Sequence, residues 1–542
     1  MSHPPNPFLT TGFMIASTLL GHYCVKQQHP KKKIPSERRT IVSAPGKVLI
    51  TGGYLVLDPN YSGLVLSTSS RFYTTISEFS STTTTKNDHS STEKTPLVIE
   101  LNSPQFHFST RYEFVKHSVD GSFELKSNSE KRNPYIENSI LYALCVAERA
   151  GGAKTENRRI SIKLEADNDF YSQRQNLIDL GREVNLENLE ALEKCYVCPD
   201  ASKPIHKTGL GSSAAMVTSL TSALILHFTN LDSSNEHVRE LIHRVAQFCH
   251  CLAQGKIGSG FDVSAATFGS QRYKRFDTSI LEPIMKKVDH SVMICSNSVV
   301  DDIVQVVDPH VENSVKWDNE HSSFELPPNF HLFVADVEQG SNTPSMVRCV
   351  LKWKSENPTE STELWNSIRD LNSQVEEHFK VISKQAKENT LQYEQTLEQL
   401  YQKSATEWKN LCSESNAVNN SIIESMIAIR TAFYEIRSKL KYMGEQAENV
   451  PIEPDQQSKL LNETMNANGC LIAGVPGAGG YDAVFSILFA PNNGEALKAV
   501  KKNVEQVWKF FKPSNDESVQ CRVTPLILNE SKTKGIDVVF QQ

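Results

Sequence analysis

Three glycine-rich segments carry the residue types that bind and move anionic groups: Ser43-Ala-Pro-Gly-Lys47, Lys207-Thr-Gly-Leu-Gly-Ser-Ser-Ala-Ala-Met216 and Gly474-Val-Pro-Gly-Ala-Gly-Gly-Tyr-Asp482. The middle segment is the sharpest. Gly209 and Gly211 let the backbone approach a ligand closely, Ser212 and Ser213 supply hydroxyls, and the N–H groups of the helix that follows face the same point. Together these suit a polyphosphate. The same serines also suit a capped helix start, because Ser is a favoured N-cap. Lys47 adds one cation in a tight apolar turn. Gly474, Gly477, Gly479 and Gly480 make the third segment either a plain linker or a backbone that something must approach. No Walker A pattern, dinucleotide fingerprint or protein-kinase signature set occurs in the chain.

Cysteine chemistry is not expected. The eleven cysteines stand singly except for Cys195-Tyr-Val-Cys198 and Cys249-His-Cys251. His206 does not complete a four-ligand set with the first pair, and the second lies in an apolar helical run where small thiols behave as core. The net charge of -7 argues against a nucleic-acid partner, which needs a basic face. That charge is uneven. Residues 1–40 hold six Lys/Arg against one acid and carry +5, which leaves -12 on the other 502. Within them, 8–25 has no formal charge and eleven apolar residues of eighteen, diluted by Thr, Ser, Gly and His. A dispensable extension is expected there, with membrane contact restricted to 8–25. The body is expected in the cytoplasm, and peroxisomal or membrane association through the extension is the alternative.

These groups need elements to place them. Two short strands are expected over 39–57, broken at Pro45-Gly46 and Gly52-Gly53, then strands at 71–78, 97–101, 105–112 and 159–164, with the Ser/Thr-rich tract 80–92 as a loop. Helices are expected at 136–148, 213–229 and 237–253, and strands at 291–296 and 330–337. Apolar residues at helical spacing, Leu364 to Ile382 and again Ile422 to Leu440, predict amphipathic helices within 363–444. Strands at 470–473 and 483–489 follow. The pattern is α+β in two lobes, 41–325 and 326–542, after an extension over 1–40.

In this order and spacing the three glycine-rich segments resemble the motifs of the GHMP small-molecule kinase family. The likeness runs from about residue 41 to the end. Thr51-Gly-Gly-Tyr-Leu-Val-Leu57 stands where relatives acting on mevalonate carry glycine-glutamate-histidine. With Gly269-Ser-Gln-Arg-Tyr273, Thr343-Pro-Ser-Met-Val347 and Val450-Pro-Ile-Glu-Pro454, this resembles the long eukaryotic branch whose acceptor is 5-phosphomevalonate. The resemblance implies an N-terminal lobe like domain 2 of ribosomal protein S5, a ferredoxin-like C-terminal lobe, and ATP with Mg²⁺ in a cleft between them. It implies Lys47, Asp262 and Ser213 as catalytic residues, Ser213 also as a metal ligand. ATP contacts are implied at Lys207, Gly209, Leu210, Gly211, Ser212, Ser213 and Ala214. Acceptor contacts are implied at Lys47, Tyr54, Arg272, Ser341, Thr343, Gly477, Gly479 and Gly480, and Arg275 is a further candidate cation. A GHMP kinase with another acceptor, mevalonate or a sugar, and a nucleotide-binding regulator of the same fold stay open as alternatives.

One role is open on chemical grounds. An alcohol acceptor needs a general base, worth about 10²–10⁴-fold, whereas a phosphate monoester with a second pKa of about 6 is already dianionic at neutral pH. Asp262 is therefore expected to orient Lys47 and the metal more than to remove a proton.

Overall fold

The computed structural model describes residues 38–79, 95–152, 154–289, 292–337, 343–412, 417–512 and 522–541. The stretch 8–25, the tract 80–92 and Ser341 lie outside the described residues.

A first sheet is built from β1 (Arg39–Thr51), β2 (Ser62–Glu78), β3 (Leu97–Ser103), β4 (Phe108–Lys116), β5 (Phe123–Ser127), β6 (Arg159–Ala166), β7 (Gln271–Lys274), β8 (Ile294–Cys295) and β9 (Glu320–Ser323). Its order is β1-β2-β6-β3-β4-β5-β8, with β7 on β2 and β9 on β7. A second sheet holds β10 (Phe330–Val337), β11 (Cys470–Gly474), β12 (Ala483–Phe489) and β13 (Val523–Pro525) in the order β11-β12-β10-β13. β14 (Asp537–Gln541) then returns to the first sheet and pairs antiparallel with β1. The α+β class holds.

β1 is buried almost end to end, as a strand covered on both faces must be. It is one strand and not two. Pro45, which has no N–H to donate, sits where the register with β2 slips between Pro45 and Lys47, and this bulge removes the need for a turn. Gly52-Gly53 does end the strand, but a single 3-10 turn, Leu55–Leu57, follows in place of a second one. One further strand starts later than expected and another is shorter. Pro104–Phe106 forms a 3-10 turn before β4, and β8 gives way at once to the helix Asn297–Val307.

The helix Ser212–Phe228 lies on β1 and β2 and is buried nearly all round. The long helical region divides into Pro358–Glu388, Thr390–Leu400, Ala405–Cys412 and Ala417–Gln446. In it Ile368, Val375, Phe379 and Ile382 are fully buried, as are Ile422, Met426 and Ile429, so the 3.6-residue spacing marks a packed face.

Candidate active site

Lys47 leaves β1 just past the bulge. Its ammonium donates to the Gly209 carbonyl at 2.8 Å, and its backbone N–H donates to the Leu210 carbonyl at 3.0 Å. Gly211 caps the helix Ser212–Phe228 with φ 77°; a Cβ there would lie 3.1 Å from Lys47 Cε and 3.7 Å from Asp262 Cβ. Only glycine leaves room where these groups meet. Asp262 stands in the first turn of the helix Phe261–Phe268. Burial lowers the Lys47 amine from its ordinary value, and the Asp262 carboxylate pushes it back up.

Ser213 Oγ lies 3.1 Å from Nε2 of His250, a residue 2% exposed on the helix Glu236–Gln254. Burial lowers the His250 pKa, which keeps the imidazole neutral; Asp262 acts against this and Lys207 with it. Cys249 and Cys251 on either side are buried free thiols. Beside the helix start opens a cavity of about 470 Å³ lined by Asn133, Tyr135, Tyr171, Lys207, Ser212 and Ser213. Leu210 and Ala214 face the core, which leaves their main-chain atoms as the groups able to meet a ligand.

The third glycine segment abuts the bend that ends β1. Tyr54, with φ 63°, donates its hydroxyl to the Ala478 carbonyl at 2.9 Å, and a Cβ on Gly53 would lie 2.8 Å from Gly477 O. Gly480 N–H donates to the Ile452 carbonyl at 2.8 Å, and a Cβ on Gly479 would come within 2.2 Å of that oxygen. The next residue, Glu453, is paired with Arg437 at 2.7 Å, both of them buried. Gly477, in contrast, has open space where a Cβ would project.

Other expected residues make contacts outside the Lys47 corner. Arg272, half exposed, donates to Ser62 Oγ at 3.1 Å and pairs with Glu376 at 3.5 Å, and neither partner belongs to the Lys47 corner. Arg275 is buried and donates to the carbonyls of Leu57, Ile257 and Gly258. Thr343 opens the helix Thr343–Glu356, whose Met346 packs in the same apolar cluster as Tyr54. Among the described residues no group of three or more His, Cys, Asp or Glu is placed to hold a metal ion.

The segment 195–270 matches the family model for the GHMP kinases N terminal domain. A relative from Arabidopsis thaliana, "Phosphomevalonate kinase, peroxisomal", is 36% identical over 487 residues, 85% of this chain and 92% of its own. The "Phosphomevalonate kinase" of Candida albicans is 30% identical, covering 85% of this chain and 92% of its own. The chain belongs to the phosphomevalonate kinase family. The structure of a Lin0012 protein from Listeria innocua is similar in fold, with a TM-score of 0.55 at 15% identity, 92% of this chain and 99% of that one being covered.

In a member of the phosphomevalonate kinase family this corner has a direct chemical use. One half-buried cation, a second at the cavity mouth and the N–H groups of a long helix start lie close together, which suits several negative charges at once. The Ser213 hydroxyl and the Asp262 carboxylate are oxygen donors, which fit a hard cation held mainly through phosphates. Tyr135 and Tyr171 were not singled out by sequence, and His250 was read with Cys249 and Cys251 as part of an apolar core. Nothing in an apolar helical run marks His250 as the residue that turns towards Ser213.

Proposed function

We propose that this chain transfers the γ-phosphoryl group of ATP to the 5-phosphate of (R)-5-phosphomevalonate, giving (R)-5-diphosphomevalonate and ADP for isoprenoid and sterol precursor synthesis. The observation that supports it is the meeting of Lys47, the Gly209 to Gly211 turn and Asp262 beside the Ser213 helix start, in a chain 36% identical to a relative named for this activity. An oxygen of the acceptor phosphate bonds to the γ-phosphorus as the bond from that phosphorus to the bridging oxygen breaks, and the electron pair leaves on ADP. With the acceptor dianionic, positioning and charge neutralisation carry the reaction.

Lys47 neutralises the transferring group. The helix-start N–H groups and the hydroxyls of Ser212 and Ser213 hold the β- and γ-phosphates, with Lys207 at the mouth. Asp262 keeps Lys47 charged and oriented. Tyr54, Arg272, Ser341, Thr343, Gly477, Gly479 and Gly480 are assigned to the acceptor side. Mg²⁺, held through Ser213, would neutralise charge on the phosphates. The lobes are 41–325 and 326–542, with β14 of the second completing the first sheet. We place the protein in the cytoplasm, and fractionation separates this from the peroxisome named for the Arabidopsis relative.

ADP release in a coupled assay tests the reading with 5-phosphomevalonate, mevalonate and a sugar as acceptors. Turnover with the first alone is expected. Turnover with another acceptor reassigns the substrate, and nucleotide binding without turnover on any of them makes the chain a regulator.

A further inference from the structure

The connection from β13 to β14, residues 526–536, carries no motif, yet it is tied, directly or through an intervening residue, to each element that builds the Lys47 corner. It starts on the second sheet, where Leu526 N–H donates to the Val334 carbonyl at 2.9 Å. Ile527 N–H then donates to Asp169 Oδ1 at 2.9 Å. The other oxygen of that buried carboxylate accepts the Ser70 hydroxyl, and the Asp169 main-chain carbonyl accepts the hydroxyl of Thr208, the residue before Gly209. Further along, Ser531 N–H donates at 2.8 Å to the carbonyl of Ser67, the register partner of Lys47 on β2. Lastly, Gly535, with φ 70°, packs against Thr267 on the Asp262 helix so closely that a Cβ would lie 1.9 Å from its carbonyl oxygen. Ile536 N–H donates to that same oxygen at 3.2 Å.

We infer that residues 526–536 form a strap that sets the mutual spacing of Lys47, the phosphate-binding turn and Asp262, with Asp169 as its positioning residue. This rests on the roles proposed above for those three. The strap reaches one element through Ser67, the second through Asp169 and Thr208, and the third through Thr267. All three elements converge on Gly211, where a displacement of ~1 Å costs on the order of 10²-fold in rate.

The test uses the full-length protein. Asp169→Ala removes both side-chain acceptors. Asp169→Asn keeps an oxygen for Ile527 N–H and offers an amide to the Ser70 hydroxyl, and Thr208→Val cuts only the tie to the phosphate-binding turn. For Asp169→Ala and Thr208→Val, kcat is expected to fall about tenfold or more with KM for ATP within about threefold, and Asp169→Asn to recover most of the loss. Hydrogen exchange of amides 207–214, which needs no acceptor substrate, is expected to speed up in the same two variants and not in Asp169→Asn. Unchanged kcat and unchanged exchange in Thr208→Val, or an Asn variant as impaired as the Ala variant, overturns the strap. Should Asp169→Ala fail to fold, Thr208→Val decides alone. Wild-type protein inactive on 5-phosphomevalonate overturns the proposed function instead, and the exchange result still judges the strap.

Discussion

At Gly211 one absent methyl group separates Lys47 from Asp262. Gly211→Ala places a Cβ 3.1 Å from Lys47 Cε at a φ of 77°, so it both strains the backbone and displaces the cation. The expected result is a loss of about 10²-fold in kcat with a folded protein, read by steady-state kinetics and circular dichroism. The pair itself sets a pH limit. Burial lowers the Lys47 amine and Asp262 raises it, so Asp262→Asn lowers it further. The alkaline limb of kcat/KM is expected to move to lower pH in that variant, and a limb that stays in place would remove Lys47 as its source. The glycine-rich spacing drew attention to Lys47 and Gly211 in the sequence, where Lys47 was read in a tight apolar turn; the structure sets it on β1, beside the Gly209 carbonyl. The commitment of Arg272 to Glu376 was not, since its partner lies more than a hundred residues away and only the fold brings them together.

Among the elements, the third glycine loop shows how much support a flexible composition needs. Its Gly479 and Gly480 lie against the Ile452 carbonyl, and the next residue, Glu453, is fixed by the buried pair with Arg437. Breaking such a pair leaves an uncompensated buried charge. Arg437→Met is expected to cost about 3–5 kcal/mol of apparent unfolding free energy, with Arg437→Met/Glu453→Leu recovering part of it, as measured by urea denaturation. The sequence pattern Val450-Pro-Ile-Glu-Pro454 gave the place but not the reason, because the arginine sits on a helix read only as an amphipathic stripe. Most strands and helices were legible from periodicity. The errors fell at β1, where a proline signals a bulge and a turn equally well, and at β8, where among the described residues 292–296 the strand spans Ile294–Cys295 alone.

For the molecule as a whole, the strap carries a pH signature of its own. Glu530, bridged to Thr68, is half-buried, and one of its carboxylate oxygens is buried with no hydrogen-bond partner. Burial raises its pKa from 4.5 to about 7; Ser270 and Leu326 N–H oppose this and Glu325 adds to it. Between those values the folded chain keeps a proton that the unfolded chain has lost, so this group's contribution to stability falls as pH rises from 4.5 to about 7 and is level above. Glu530→Gln is expected to melt higher than wild type at pH 8, with the gap closing towards pH 4.5, in a calorimetric series. None of this was legible in sequence, where 526–536 shows no periodicity and no glycine pattern.

The return of β14 to β1 has a consequence for how the protein is made. Arg39 pairs with Gln541, so β1 must wait for a strand that is made on the order of 500 residues later. At ~5–20 residues per second the wait is on the order of 25–100 s. Throughout it, one edge of β1 is an unpaired row of peptide groups, the kind of surface that recruits other chains. Residues 526–536 emerge just ahead of β14, so the ties from Ser531 to Ser67 and from Ile536 to Thr267 form in the same late step.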